Sequence, residues 1–121
     1  MKHDRAKAVV EDLWLHGSGV VSTQVLQELC VNLRRKVKHP IDPRTVREIV
    51  ADYLAWDVVT NTGKSIVDAL QIEERYQISF WDALVVHAAE ASGAAILYSE
   101  DLSDGQTYRG VRVVNPLVER T

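Results

Sequence analysis

Short β-branched runs separated by helical stretches constrain this chain most. GVVS (Gly19 to Ser22), DVVT (Asp57 to Thr60), AAILYS (Ala94 to Ser99) and VRVVN (Val111 to Asn115) each read as a brief buried strand, nearly continuous in apolar residues. Amphipathic helices are predicted between them. From His3 to His16, Ala6, Val9, Val10, Leu13 and Trp14 recur at helical spacing. A second helix aligns Val25, Leu26, Leu29, Leu33 and Val37 behind Ser22 or Thr23 as its cap. A third carries Val46, Ile49, Val50 and Leu54, with Asp42 at its N-cap and Pro43 at the first helical position, where a missing N–H is harmless. Two more follow, from about Ser65 to Tyr76 and from Phe80 to Ala91. Parallel strands need crossover connections, and these helices supply them, so the class is α/β with a short, mostly parallel sheet between helical layers.

With 121 residues there is room for a single domain, residues 1–121, and one core. Apolar runs such as Ala94 to Leu97 are far too short to span a bilayer, and MKHDRAKAVVEDLW is too charged for a secretory leader. Cys30 is the single cysteine, which excludes an intrachain disulfide and a cysteine-based zinc site. These features predict a cytoplasmic protein without a membrane partner. A net charge of -3 argues against a surface that grips nucleic acid everywhere, so any such role must be local.

The helix SFWDALVVHAAEA, Ser79 to Ala91, sets Asp82 into a face that is otherwise apolar. Burying an ionised carboxylate without a partner costs several kcal/mol, so Asp82 needs a cation or hydrogen bonds. Ser79 and Asp82 stand at capping-box spacing, which is the purely structural account. Only Ser92 and Gly93 separate this helix from the next strand, so the two run antiparallel. Twelve helical residues cover ~18 Å and six strand residues ~20 Å, which puts Asp82 level with the strand's far end. SED, Ser99 to Asp101, stands there, outside the carboxyl end of a strand where open parallel sheets bind ligands. Glu28 lies within two helical turns of the carboxyl end of GVVS, at the same edge. Carboxylates alone, with no histidine or cysteine at ligand spacing, suit Mg²⁺ or Mn²⁺ and metal-assisted phosphodiester hydrolysis.

VVSTQVLQELCVNLRRK (Val20 to Lys36), ISFWDALVVHAAEASG (Ile78 to Gly93) and ILYSEDLSDGQTYRGVRVVNP (Ile96 to Pro116) resemble the PIN-domain family, which includes the ribonuclease toxins of VapBC-type toxin–antitoxin modules. The resemblance covers essentially the whole chain. It implies a PIN-type α/β/α sandwich, Mg²⁺- or Mn²⁺-dependent endoribonuclease activity on an RNA substrate, a cognate antitoxin as partner, and a homodimer. By position, Glu28, Asp82 and Asp101 match three of the family's metal-site acids. Asp104 supplies a further carboxylate or only a turn, and Ser99 matches a small hydroxyl residue that helps hold the attacking water. The family's remaining acid lies at the end of an N-terminal strand. This chain opens instead on the polar MKHDRAK, where Asp4 begins a helix and cannot replace that acid. The expectation is a domain incomplete at its N-terminus, through a lost upstream segment or degeneration, with a gap in the sheet where the central strand belongs. A catalytically inactive module that sequesters an antitoxin, or dimerises with an intact relative, is the alternative.

Arg34, Arg35 and Lys36 form the chief basic concentration, with Lys38, His39, Arg44 and Arg47 nearby. They are read as a solvated helix end that complements the dipole, or as an RNA- or antitoxin-guiding patch. His87 is expected in the core or an interface. Trp14, Trp56 and Trp81 are expected as core aromatics, with base stacking by Trp81 as the other reading.

Overall fold

The computed structural model describes residues 2–35, 39 and 41–117. Along it run α1 (Lys2–His16), β1 (Val20–Ser22), α2 (Thr23–Arg35), α3 (Pro43–Tyr53), β2 (Asp57–Val59), α4 (Gly63–Tyr76), α5 (Phe80–Ala91), β3 (Ile96–Tyr98), β4 (Thr107–Tyr108) and β5 (Val111–Val114). The chain is of the α/β class, with short parallel strands packed against helices in an α/β/α arrangement. Among the described residues, no helix is long and apolar enough to cross a membrane.

Local chemistry sets the helix starts. The Asp42 carboxylate accepts the amides of Arg44 at 2.9 Å and Thr45 at 3.1 Å, and Pro43 follows in the first turn, as the sequence predicts for α3. α4 begins at Gly63, ahead of the expected Ser65, because Thr62 and Ser65 form a reciprocal capping box. Ser79 caps α5 by accepting the amide of Asp82 at 3.1 Å.

The strands form two separate sheets. β1 pairs with β2 in parallel, while β3 pairs with β5 in parallel and β5 with β4 antiparallel. β4 was not predicted: two residues are too few to show a period. Its hairpin turns through Arg109 (φ 51°) and Gly110 (φ 83°), the pair of positive φ angles that matches strand twist in a two-residue connection.

The main core lies with the second sheet. α4 packs along α5, and Ala69, Ile72, Ala83, Leu84, Val86, Leu102, Tyr108 and Val113 form one buried cluster. Around the first sheet, α2 and α3 bury Leu26 and Val46. α1 is fastened by rings: Trp14 lies 5.1 Å from Tyr53 and 5.2 Å from Trp56, centroid to centroid. Between the two sheets lies an apolar cavity of about 440 Å³, walled by residues of α1, β1, α2, α5 and β3.

Candidate active site

β1 and β3 bring their carboxyl ends to one edge of the fold. A cleft of about 390 Å³ opens there, lined among others by Gln24, Glu28, Trp81, Asp82, Ser99, Glu100 and Asp101. The sequence-predicted acids Glu28, Asp82 and Asp101 thus come together from α2, α5 and the loop after β3.

Glu28 is exposed, and its Oε1 accepts Nε2 of Gln24 at 2.9 Å. One helical turn separates the two, so they share a face of α2. The same Nε2 reaches the main-chain carbonyl of Trp81 at 3.4 Å, linking α2 to the first turn of α5. Gln24 is only 6% exposed, and its Oε1 is buried without a hydrogen-bond partner among the described residues. Sequence reasoning missed Gln24. Its signal was there as a Gln–Glu pair at i and i+4, directly after a strand.

Asp82 is half-buried at the start of α5. Its amide completes the Ser79 cap, but the return bond of a full capping box is not formed. The carboxylate therefore sits by the positive end of the helix dipole without being consumed by the cap. Ser99 Oγ accepts the amides of Asp101 at 3.2 Å and Leu102 at 3.3 Å, folding the loop so that Asp101 stays exposed at the cleft. Glu100 lines the cleft as well, although only its neighbour in SED was singled out.

Other expected residues lie elsewhere. Asp104 Oδ1 accepts the amide of Asn115 at 2.8 Å, which ties its loop to the end of β5, and Asp104 is not among the residues lining the cleft. Arg34 and Arg35 are exposed at the end of α2, where Arg34 borders a different groove beside Cys30 and Arg47. Lys36 and Lys38 lie outside the described residues. Trp81 departs from the core position expected of it: it is 63% exposed, because the first turn of α5 projects past the buried cluster into the cleft. His87 is half-buried, with Nδ1 3.9 Å from a carboxylate oxygen of Asp68 on α4.

The donors at the cleft are of the kind a hard divalent cation takes, carboxylate oxygens. Their spacing is looser. Among the described residues, no three His, Cys, Asp or Glu side chains gather closely enough to hold a metal ion between them.

Fold and cleft together define an α/β domain with carboxylates collected at the carboxyl edge of its strands. The chain belongs to the PIN domain family, whose profile matches residues 2–103. PIN domains are usually nucleases and typically bind a divalent metal. No curated protein matches the chain.

Proposed function

We propose that the chain is a Mg²⁺- or Mn²⁺-dependent endoribonuclease, the toxin component of a toxin–antitoxin module, with Glu28, Asp82 and Asp101 as the acids that hold the cation. The convergence of these three on one cleft from separate elements carries the reading. A divalent cation bound there supplies Lewis-acid activation of water and neutralises phosphate charge. Gln24 orients Glu28 toward α5, whose first turn carries Asp82. Ser99 holds the loop that presents Asp101, leaving its own hydroxyl proton to donate toward the cleft. In this reading an antitoxin occludes the cleft, the protein is a cytoplasmic homodimer, and residues 1–121 form one domain.

The test is cleavage of single-stranded RNA with Mg²⁺ or Mn²⁺ and with chelator. Metal-dependent cleavage by the wild type, lost in Asp82→Asn while circular dichroism stays unchanged, is the expected result. The Asn variant keeps the backbone amide that caps α5, so loss of activity reports the carboxylate. Cleavage equal in both proteins would refute the assignment.

A second reading is favoured by the absence of a closed three-ligand group among the described residues. The chain is then a non-catalytic module that sequesters an antitoxin or dimerises with an intact relative. Tight antitoxin binding without metal-dependent cleavage would select it.

A further inference from the structure

Trp81 is 63% exposed in the first turn of α5, where it lines the acidic cleft. A lone apolar side chain in water is ordinary on a protein surface. The setting of this one is not. Val85, one helical turn further along α5, lines the same cleft, so the stripe of the helix that carries the indole borders it. Tyr98, also exposed and also in the cleft, lines the cavity between the two sheets as well, whereas Trp81 does not. The exposed indole thus belongs to the carboxyl edge and not to the space between the sheets.

The indole is held from behind. The main-chain carbonyl of Trp81 accepts Nε2 of Gln24 at 3.4 Å, and its ring meets that of Phe80 with centroids 5.4 Å apart and planes at 71°. Phe80 in turn packs against the main core cluster. In a near-perpendicular pair one ring turns its edge to the other's face, so Phe80 covers at most one face of the indole. An aromatic side chain fixed at its base loses little freedom when a flat ligand stacks on the other face.

The charge of the cleft opposes a polyanion. Glu28, Asp82, Glu100 and Asp101 line it, and no lysine or arginine is among its described lining residues. Arg5 reaches the rim, where it donates to the carbonyl of Leu117 at 3.2 Å. A divalent cation among the acids offsets the charge at one phosphate and leaves the rest of a strand unattracted. Affinity for a nucleic acid must then come from its bases, and stacking is an attraction that needs no charge. Trp81 directly precedes Asp82, with ~3.8 Å between their Cα atoms. A base stacked on the indole therefore belongs to a nucleotide beside the phosphate held at the acids.

We propose that Trp81 is a stacking platform for one unpaired base of an RNA strand, which it positions beside the phosphate to be cut, and that it thereby selects single-stranded or looped RNA over duplex. The proposal rests on the nuclease reading above, which supplies the RNA. In a duplex, paired neighbours occupy the faces of each base, and the indole finds none without unstacking them. Every base has a π-face, so the platform tolerates sequence.

The test is equilibrium binding of a short RNA by the full chain, in Ca²⁺ and separately in chelator, with the RNA checked for integrity on a gel. A fluorescent 2-aminopurine, which stacking on an indole quenches, replaces each base in turn. Trp81→Phe should bind within about threefold of wild type, while Trp81→Leu, apolar but not aromatic, should bind about tenfold more weakly and quench no position. Removing one base at a time identifies the partner: the abasic position that costs wild type about tenfold should cost Trp81→Leu nothing further, a coupling that marks direct contact. A perfect duplex of the same sequence should be bound equally by both. Should Trp81→Leu fail to fold, the wild-type quenching map decides alone, quenching at one position supporting the platform and uniform or absent quenching overturning it. Equal affinities of the Leu and Phe variants, an abasic cost shared by wild type and Trp81→Leu, or no binding of RNA by wild type overturns the proposal. So does a stable dimer in which the Trp81 emission is already that of a buried indole without RNA, since protein would then cover the ring. Cleavage with Mg²⁺ or Mn²⁺ is scored separately. A wild type that cleaves while Trp81→Leu binds and cuts equally well sinks the platform alone; binding that depends on Trp81 without any cleavage sinks the nuclease alone.

Discussion

Nε2 of Gln24 stands 2.9 Å from Oε1 of Glu28, while the other end of the same amide group is buried with no hydrogen-bond partner among the described residues. A buried amide placed this way fixes an acid that would otherwise swing freely on the surface of α2. Gln24→Met keeps the side-chain length and removes the bond. In a Mn²⁺ titration followed by electron paramagnetic resonance, the variant should bind about tenfold more weakly, the scale of effect seen when a ligand loses its orienting partner. Its melting temperature should hold or rise, because the orphaned oxygen goes with the amide.

Gly19 is required by its neighbour. A Cβ built there would lie 2.5 Å from Cδ2 of Trp56, so any side chain must displace the indole. Trp56 packs edge-on to Trp14 at 5.2 Å and Tyr53 at 5.0 Å, and its movement loosens the attachment of α1. Gly19→Ala should destabilise the protein by about 1–3 kcal/mol in urea unfolding, with a shift in tryptophan emission. Adding Trp56→Leu should recover part of the loss, a coupling that a double-mutant cycle measures.

The cap of α3 makes stability depend on pH. The backbone amide of Thr45, then its hydroxyl, hold the Asp42 carboxyl below the ordinary aspartate range. Because the folded value is the lower one, the cap's contribution is fully present above the ordinary value and fades as pH falls through the depressed one. Wild type should therefore melt higher than Asp42→Ala at neutral pH, and the gap should close in strongly acidic buffer.

Ile72 is fully buried between α4 and α5. Ile72→Ala leaves a cavity in the main cluster and should cost about 2–5 kcal/mol, read from the urea midpoint. A smaller loss would mean that α4 collapses onto α5.

Much of the fold was legible because pattern and chemistry agreed. Asp42–Pro43 marked the start of α3, Ser79 marked that of α5, and the β-branched runs at Val20, Asp57, Ile96 and Val111 became strands. β4 escaped because Thr107–Tyr108 is too short to show a period, and it becomes a strand through the Arg109–Gly110 turn and its pairing with β5. Within the cleft, Glu28, Asp82 and Asp101 were found from the ends of strands and the length of α5. Gln24 and Glu100 were missed, since a neutral amide and a loop acid acquire meaning only from what faces them. Trp81 misled for the opposite reason: its apolar character said core, while its place in the first turn of α5 put it outside.

The uneven distribution of buried side chains gives the two sheets different lifetimes. Among the described residues the large cluster belongs to α4, α5 and the residues from Leu102 onward, whereas β1, β2 and the helices around them bury Leu26 and Val46 as their large apolar side chains. Segments with few buried contacts open at lower free energy than the body that carries the core. Glu28 rides on the weaker unit; Asp82 and Asp101 ride on the stronger. On warming, the cleft should therefore divide before the molecule melts, which makes the acidic edge a property of the assembled pair of units rather than of either one.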